Sequence, residues 1–325
     1  MARRIRIEQH GGPEVLKVEQ YEVGEPGPGE ARVRQTAIGL NFIDTYFRSG
    51  LYPPPSGLPF TPGNEAAGVV EAVGEGVAEV KVGQGVAYAS SLGAYADVRL
   101  VPAKVLVPLP DGISDEQAAA MMLKGMTAQY LLRQTYAVKR GDTILAHAAA
   151  GGVGLIMVQW AKDLGATVIG TVGSEDKAEI ARQHGADHII LYKQEDFAQR
   201  VVEITGGAKL PVVYDGVGKA TFMKSLDCLR PRGLMVTYGN ASGPVDAFNL
   251  GILSQKGSLY VTRPTLFSYT ATRDELLACA NDLFGVVKKG AVKIGINQRF
   301  PLDKAADAHR ALEGRETTGS TLLIP

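Results

Sequence analysis

With 325 residues and 45% hydrophobic content the chain is too long for one ordinary core and rich enough for two, so two domains are expected. Thirty-four acidic and thirty-four basic side chains cancel, and neither sign forms a long block, which argues against a nucleic-acid or membrane partner and for a small ligand. Cys228 and Cys279 are too few for a disulfide framework and sit in apolar helical contexts where buried thiols are expected; with no signal peptide or spanning apolar run, a reducing, cytoplasmic compartment follows.

Before Lys124, Gly and Pro are frequent, and short β-type runs at 31–37, 68–73 and 85–88 follow one another without long helical gaps. This is the texture of a small β-rich domain. Tyr46 and Tyr52 fall in Pro/Gly-rich stretches that read as surface loops.

The texture then changes. Residues 143–146 read as a short buried strand, and 155–160 as a helix with Lys162 in its last turn and Gly165 as its stop. Between them Ala148, Ala149, Ala150, Gly151, Gly152, Val153 and Gly154 carry no bulky side chain. Such a backbone can turn sharply and let a pyrophosphate approach the first N–H groups of the helix, where the dipole favours negative charge. The spacing Ala148-x-x-Gly151-x-x-Gly154 lacks the first glycine of the common G-x-G-x-x-G fingerprint. A tight helix-on-sheet turn would use the same residues.

Further strand-like runs at 167–172, 188–192, 212–215, 234–238 and 258–262 alternate with helix-like stretches at 176–184, 196–205, 221–229 and 250–255. With 143–146 that makes six strands, and alternation of this kind builds an α/β, doubly wound parallel sheet of the Rossmann type, whose ligand sits beyond the carboxyl ends of the strands. Tyr238, Gly239 and Ser242, at the end of the fifth strand, are read as cofactor contacts there. Beyond Pro264 come a helix (273–289), an extended run (298–300), a second helix (302–313) and a final strand (320–324), too few for a third core. The economical arrangement folds 267–325 back onto 1–123, with the nucleotide domain, 124–266, inserted.

The string from Gly141 to Lys162 resembles the quinone oxidoreductase and zeta-crystallin branch of the medium-chain dehydrogenase/reductase superfamily. So do His10-Gly11-Gly12-Pro13-Glu14-Val15-Leu16, Gly39-Leu40-Asn41-Phe42-Ile43-Asp44-Thr45-Tyr46, Ser49-Gly50-Leu51-Tyr52-Pro53, Pro62-Gly63-Asn64-Glu65-Ala66-Ala67-Gly68 and Tyr260-Val261-Thr262-Arg263-Pro264. The resemblance implies a GroES-like β-rich catalytic domain, a Rossmann domain, a cleft between them, a homodimer, and NADPH-dependent, one-step reduction of quinones. The apolar run 258–262, as an edge strand, is the expected dimer contact.

Related alcohol dehydrogenases hold catalytic zinc through Cys, His and Cys. The resemblance puts Asn41 where the first Cys would sit and Asn64 where the His would be, and neither carboxamide is a credible zinc ligand. Histidines 10, 147, 184, 188 and 309 form no metal-binding pair on one helix, so no metal is expected.

In NAD-binding sheets an acid about 20 residues beyond the glycine turn receives the ribose hydroxyls. Here the strand tip carries Gly173 and Ser174, with Lys177 one turn into the helix. Ser174 and the helix N-terminus can hold a 2′-phosphate that Lys177 neutralises, or Ser174 is an N-cap and Lys177 a solvated charge. The absent acid and the resemblance favour the phosphate. Glu175 and Asp176 oppose it unless they point away. The resemblance also implies Tyr192 by the adenine and Arg315 reaching the 2′-phosphate.

Hydride transfer to a quinone needs positioning, a dry site and protons for developing oxyanions. Asn41 can hydrogen-bond nicotinamide or ribose. Tyr46 and Tyr52 can stack on a flat acceptor, donate protons, or simply pack. Lys124 and Arg263, at the expected chain crossings, can polarise an acceptor oxygen or pair with acids. The expected enzyme is an NADPH:quinone oxidoreductase. The alternatives are an NADPH-dependent reductase of α,β-unsaturated carbonyls and, from another class, a zeta-crystallin-like RNA-binding or structural protein.

Overall fold

In the computed structural model, which describes residues 1–89 and 91–325, the chain opens with an antiparallel pair, β1 (Ala2–Arg6) and β2 (Lys17–Tyr21). There follow β3 (Glu30–Leu40), α1 (Phe42–Ser49), β4 (Glu65–Val73), β5 (Gly85–Ala89), β6 (Val98–Pro102), β7 (Val107–Pro108) and α2 (Asp115–Tyr130). Two helices stand where the sequence texture suggested none of length. Helix α1 starts on Asn41 and stops at Gly50, whose φ of 82° is the left-handed conformation a glycine C-cap adopts without a Cβ penalty. It therefore takes Tyr46 out of the expected surface loop and buries it. Helix α2 escaped notice because its middle, Ala118 to Met122, is buried without a polar face to mark a helical period.

The next stretch alternates strand and helix: β8 (Thr143–His147), α3 (Gly152–Asp163), β9 (Thr167–Val172), α4 (Glu175–Gln183), β10 (His188–Leu191), α5 (Phe197–Ile204), β11 (Leu210–Asp215), α6 (Phe222–Ser225), β12 (Leu229–Thr237), α7 (Gly251–Gln255), β13 (Tyr260–Thr262) and α8 (Leu266–Tyr269). The strands form one parallel six-stranded sheet in the order β10-β9-β8-β11-β12-β13, the doubly wound arrangement expected. Leu145, Ile169, Ile190, Val213 and Met235 supply its buried apolar core. Three boundaries differ from expectation. Helix α3 begins at Gly152 rather than 155, because glycine propensity does not prevent a first turn held by packing. The helix expected at 221–229 shrinks to α6 and a 3-10 turn, and Leu229 already opens β12. The sixth strand keeps Tyr260–Thr262, since Ser258 has φ of 57°, outside strand geometry.

The return segment contributes α9 (Arg273–Lys288), β14 (Ile296–Pro301), α10 (Ala305–Glu313) and β15 (Ser320–Ile324). Strand β15 pairs antiparallel with β3 and parallel with β14, in a seven-stranded sheet of order β14-β15-β3-β4-β5-β7, with β6 also on β3. Ile38, Val33, Val70, Val86, Tyr88 and Leu323 fill its buried side. The chain thus divides into two units, Met1–Met126 with Thr270–Lys288 and Ile294–Pro325, and Thr127–Tyr269 with Lys289–Lys293. No helix among the described residues is long and apolar enough to cross a membrane.

Candidate functional site

In the second unit the carboxyl end of β8 leads into the glycine turn. His147, fully buried, closes the strand: Ser225 Oγ, which donates to the Thr221 carbonyl (2.8 Å), accepts from Nε2 (2.9 Å), so Nδ1 (2.8 Å from Thr171 Oγ1) is left as the acceptor. Burial lowers its pKa, and it stays neutral. Ala148 follows with φ of 54°, so the position that lacks the fingerprint's first glycine still adopts the conformation glycine favours.

Gly151 is the N-cap of α3 and has no side chain to cap it, so the first-turn N–H groups at Gly152, Val153 and Gly154 are offered to another acceptor. Gly154 has to be glycine: a Cβ there would lie 2.3 Å from the Ala148 carbonyl oxygen. Ala150 is buried beneath the turn. An uncapped helix N-terminus behind a turn without bulky side chains fits a dinucleotide pyrophosphate.

Around it stand the other expected cofactor residues. Gly173 follows β9 and lies against Tyr192, whose hydroxyl would be 2.9 Å from an added Cβ, so the structure brings these two together. Ser174 is the N-cap of α4, but its side chain caps no N–H, and Lys177 lies half-buried one turn on. Glu175 is turned away, paired with Arg182 (2.8 Å). Tyr238 packs on Gly216, and a Cβ on Gly239 would fall 2.3 Å from the Gly216 carbonyl oxygen. Arg263, exposed, donates from Nη1 to the Gly239 carbonyl (3.1 Å), which places it with these loops. Ser242 is used internally: its hydroxyl donates to the Val217 carbonyl (2.8 Å) and accepts from the Ala220 amide (3.0 Å). Asp215, which no local motif singles out, is fully buried and organises the same loops, accepting from the amides of Val217 (2.7 Å) and Gly218 (3.1 Å) and from Thr221 Oγ1 (2.8 Å). Arg315 lies in the first unit, exposed, with φ of 61° just after α10.

In the first unit the end of β3 and the start of α1 meet a buried polar network. Asn41 Nδ2 donates to Glu65 Oε2 (2.7 Å), and Lys124 Nζ donates to the same oxygen (3.0 Å). Lys124 thus stands inside α2, paired with an acid of its own unit. Tyr46 and Tyr52 pack edge to face, ring centroids 5.3 Å apart. Beneath them Asp44 Oδ1 accepts from Asn64 Nδ2 (2.9 Å), and Oδ2 from the Asn41 amide (2.9 Å) and the Tyr95 hydroxyl (3.1 Å). Burial pushes the Asp44 carboxyl up to about 6 against the pull of these donors. The Tyr95 hydroxyl also lies 3.0 Å from His309 Nε2, and Arg48 Nη1 lies 2.9 Å from His309 Nδ1. Arg48 has no acceptor lone pair, so Nδ1 accepts and Nε2 carries the proton. Burial first, then the charge of Arg48, push the imidazole down to about 3. Arg48 in turn forms a two-pronged pair with Glu313 (2.7 and 2.9 Å). Asp44, Glu65, Tyr95 and His309 were missed because nothing local marks them; Glu65 alone carried a hint, in standing beside Asn64.

Among the described residues no group of three or more His, Cys, Asp or Glu is placed to hold a metal ion. Cys228 and Cys279 are buried, and burial pushes both thiols up to about 12, so neither is a nucleophile at neutral pH.

Residues 152–280 match the family described as Zinc-binding dehydrogenase, and residues 27–111 that described as Alcohol dehydrogenase GroES-like domain. The chain is 61% identical to a quinone oxidoreductase of Pseudomonas aeruginosa, with 100% of each chain covered. It is 50% identical to a 2-haloacrylate reductase of a Burkholderia species, with 98% of each covered. The Escherichia coli quinone oxidoreductase complexed with NADPH matches with a TM-score of 0.98 at 54% identity, over 99% of this chain and 100% of that one. Full-length identity at this level, on the same two-unit architecture, bears out the resemblance read from the glycine turn and the Asn41 and Asn64 strings: the chain belongs to the quinone oxidoreductase family of the medium-chain dehydrogenase/reductase superfamily.

Proposed function

We propose that this chain is an NADPH:quinone oxidoreductase. The observation that carries the reading is identity of 61% and 57% with two bacterial quinone oxidoreductases across the whole chain, together with the NADPH complex of a third at 54%. When bound, NADPH supplies the hydride, and a quinone accepts it.

The chain's own residues bind, orient and compensate charge. Gly151, Gly152, Val153 and Gly154 would hold the pyrophosphate, with Ala150 supporting the turn. Ser174, whose hydroxyl is not spent on a helix cap, and Lys177 would hold the 2′-phosphate, with Gly173 and Tyr192 beside the adenine. Tyr238, Gly239 and Ser242 would shape the loops on which the remainder of the cofactor rests; for Ser242 that role is through the loop clasp it closes. Asn41 would hydrogen-bond the nicotinamide or its ribose, and on the acceptor side the Tyr46–Tyr52 edge would pack against a flat ring. Lys124 or Arg263 would place positive charge near developing oxyanions.

Metal is not part of this reading. Asn41 and Asn64, at the positions where zinc-binding relatives carry ligands, turn their amide N–H groups to carboxylates, an arrangement that suits hydrogen bonding and not metal ligation. A cytoplasmic homodimer joined through the sheet edge at β13 completes the proposal, supported by the exposure of Tyr260 on that strand.

A second reading, reduction of α,β-unsaturated carbonyl compounds, is favoured by the identity of 50% with a 2-haloacrylate reductase. Initial rates of NADPH oxidation with benzoquinones and with enones, measured on the same preparation, separate the two. A kcat/KM at least about tenfold higher for quinones supports the first reading, and the reverse ratio replaces it with the second.

A further inference from the structure

The observations lead furthest at Glu65. Strand pairing sets it directly opposite Gly39, and the absence of a side chain there is what admits the carboxylate: a Cβ on Gly39 would lie 2.2 Å from Glu65 Oε2 and 2.2 Å from the Ala119 carbonyl oxygen. Glu65 is fully buried and meets donors on both oxygens. Oε1 accepts from the Leu123 amide (2.6 Å), and Oε2 from Asn41 Nδ2 (2.7 Å) and Lys124 Nζ (3.0 Å).

Asn41 Nδ2 also faces the Gly39 carbonyl (3.3 Å), so both amide hydrogens are directed inward and the carbonyl Oδ1 keeps a lone pair for a ligand donor. Lys124, 5% exposed, has three hydrogens and, among the described residues, a hydrogen bond to Glu65 Oε2. A free carboxamide could present either end, and a free lysine could swing. One carboxylate removes both freedoms.

We propose that Glu65 is the positioning residue of the hydride-transfer site, acting through Asn41 and Lys124: it fixes Asn41 as a hydrogen-bond acceptor for the nicotinamide amide or the ribose hydroxyls and holds the Lys124 ammonium beside it. The proposal rests on the oxidoreductase reading for what the site is used for, and on the geometry alone for what Glu65 does. The charged and titratable groups facing the pair from neighbouring elements are Asp44 on α1 and, behind it, Tyr95, Arg48 and His309.

Glu65→Gln is the test, because whichever end of the new amide carries its NH2 must face a donor that the carboxylate accepted from. With selective 15N-asparagine labelling, the Asn41 side-chain resonance is identified by its loss in Asn41→Ala. It should show slowly exchanging amide protons in the parent chain and should shift, with exchange at least about tenfold faster, in Glu65→Gln. At saturating NADPH, kcat/KM for a benzoquinone should fall about 10- to 100-fold, while the Kd for 2′,5′-ADP stays within about twofold. In the Asn41→Ala background the same substitution should cost clearly less than in the parent chain, since the Asn41 part of its route is already cut and only the Lys124 part remains.

An unshifted Asn41 resonance, or losses that simply multiply in the double variant, overturns the proposal. If Glu65→Gln does not fold, Glu65→Gln/Lys124→Met, which removes both buried charges, takes its place with the same expectations. Failure of both to fold would show that Glu65 holds the domain and not the site. A parent chain without quinone turnover would refute the functional reading only, because the Asn41 resonance still decides the role of Glu65.

Discussion

His309 shows how burial sets the charge of one side chain. Its two nitrogens are committed to Arg48 and the Tyr95 hydroxyl, it is fully buried, and its pKa is depressed to about 3 from 6.5. Above pH 6.5 both folded and unfolded chains hold it neutral, and its contribution to stability is complete. As pH falls from 6.5 towards 3 only the unfolded chain takes up the proton, so stability is lost, on the order of 5 kcal/mol over the window. Asp44 has the opposite sign: its pKa is raised from 3.8 to about 6, so its contribution is complete below pH 3.8 and is lost as pH rises through 6. The two slopes oppose each other between about pH 4 and 6. An NMR titration should find the His309 ring protons unshifted down to about pH 4; a midpoint near pH 6 would refute the buried, neutral assignment.

The strand tip at Gly173 and Ser174 carries no acid, and Glu175 is drawn off by Arg182. Lys177→Ala should weaken NADPH binding by about 1 to 3 kcal/mol, the range of a charge-assisted hydrogen bond, and leave NADH nearly unchanged. Isothermal titration with both cofactors checks it, and equal losses would remove the phosphate from this position.

Two helical glycines separate packing from propensity at the scale of the element. In α3, a Cβ on Gly154 would strike the Ala148 carbonyl oxygen at 2.3 Å and the Ala149 carbonyl carbon at 2.8 Å, backbone atoms that cannot move aside. In α9, Gly285 is exposed and a Cβ would meet nothing within 4 Å. Gly285→Ala should therefore stabilise by about 0.5 to 1 kcal/mol through helix propensity, whereas Gly154→Ala should destabilise by about 1 to 3 kcal/mol through overpacking. Urea denaturation of both variants gives the signs; equal signs would contradict this account.

The same contrast explains what could be read in advance. The strands β8, β9 and β11 were legible because parallel strands buried on both faces are compact apolar runs, and the edge strands β10 and β13 because Gly185 and Gly257 set their short runs off. Helix α1 was hidden by the prolines and glycines that follow it, and α2 by burial on every side. The glycine turn and the acid-free strand tip were visible because a local string writes them. Asp44, Glu65, Tyr95 and His309 were not, because partners of each lie far away in the chain: His309 meets Tyr95 across 214 positions and Arg48 across 261. No local pattern records such a contact.

At the scale of the whole molecule, β13 ends the six-stranded sheet with an open edge, and Tyr260 on it is 60% exposed. An unpaired edge with an exposed aromatic side chain invites a symmetry mate. Light scattering at micromolar concentration should give twice the mass of one 34.5 kDa chain, and Tyr260→Arg should shift the mass towards the monomer. A parent chain that scatters as a monomer would contradict the edge-to-edge assembly.

The balanced charge, the uncapped N-terminus of α3 and the Asn41–Glu65–Lys124 cluster converge on one central claim, reduction of a quinone at the expense of NADPH without metal. Its most direct test is the rate of NADPH oxidation with a benzoquinone, measured on protein dialysed against a strong chelator and again after zinc is added back. Full turnover is expected after dialysis, with no gain from zinc and a kcat/KM for NADPH higher than that for NADH by about tenfold or more, in line with a charge-assisted phosphate contact. Turnover that vanishes in chelator and returns with zinc, or no quinone-dependent oxidation at all, would contradict it.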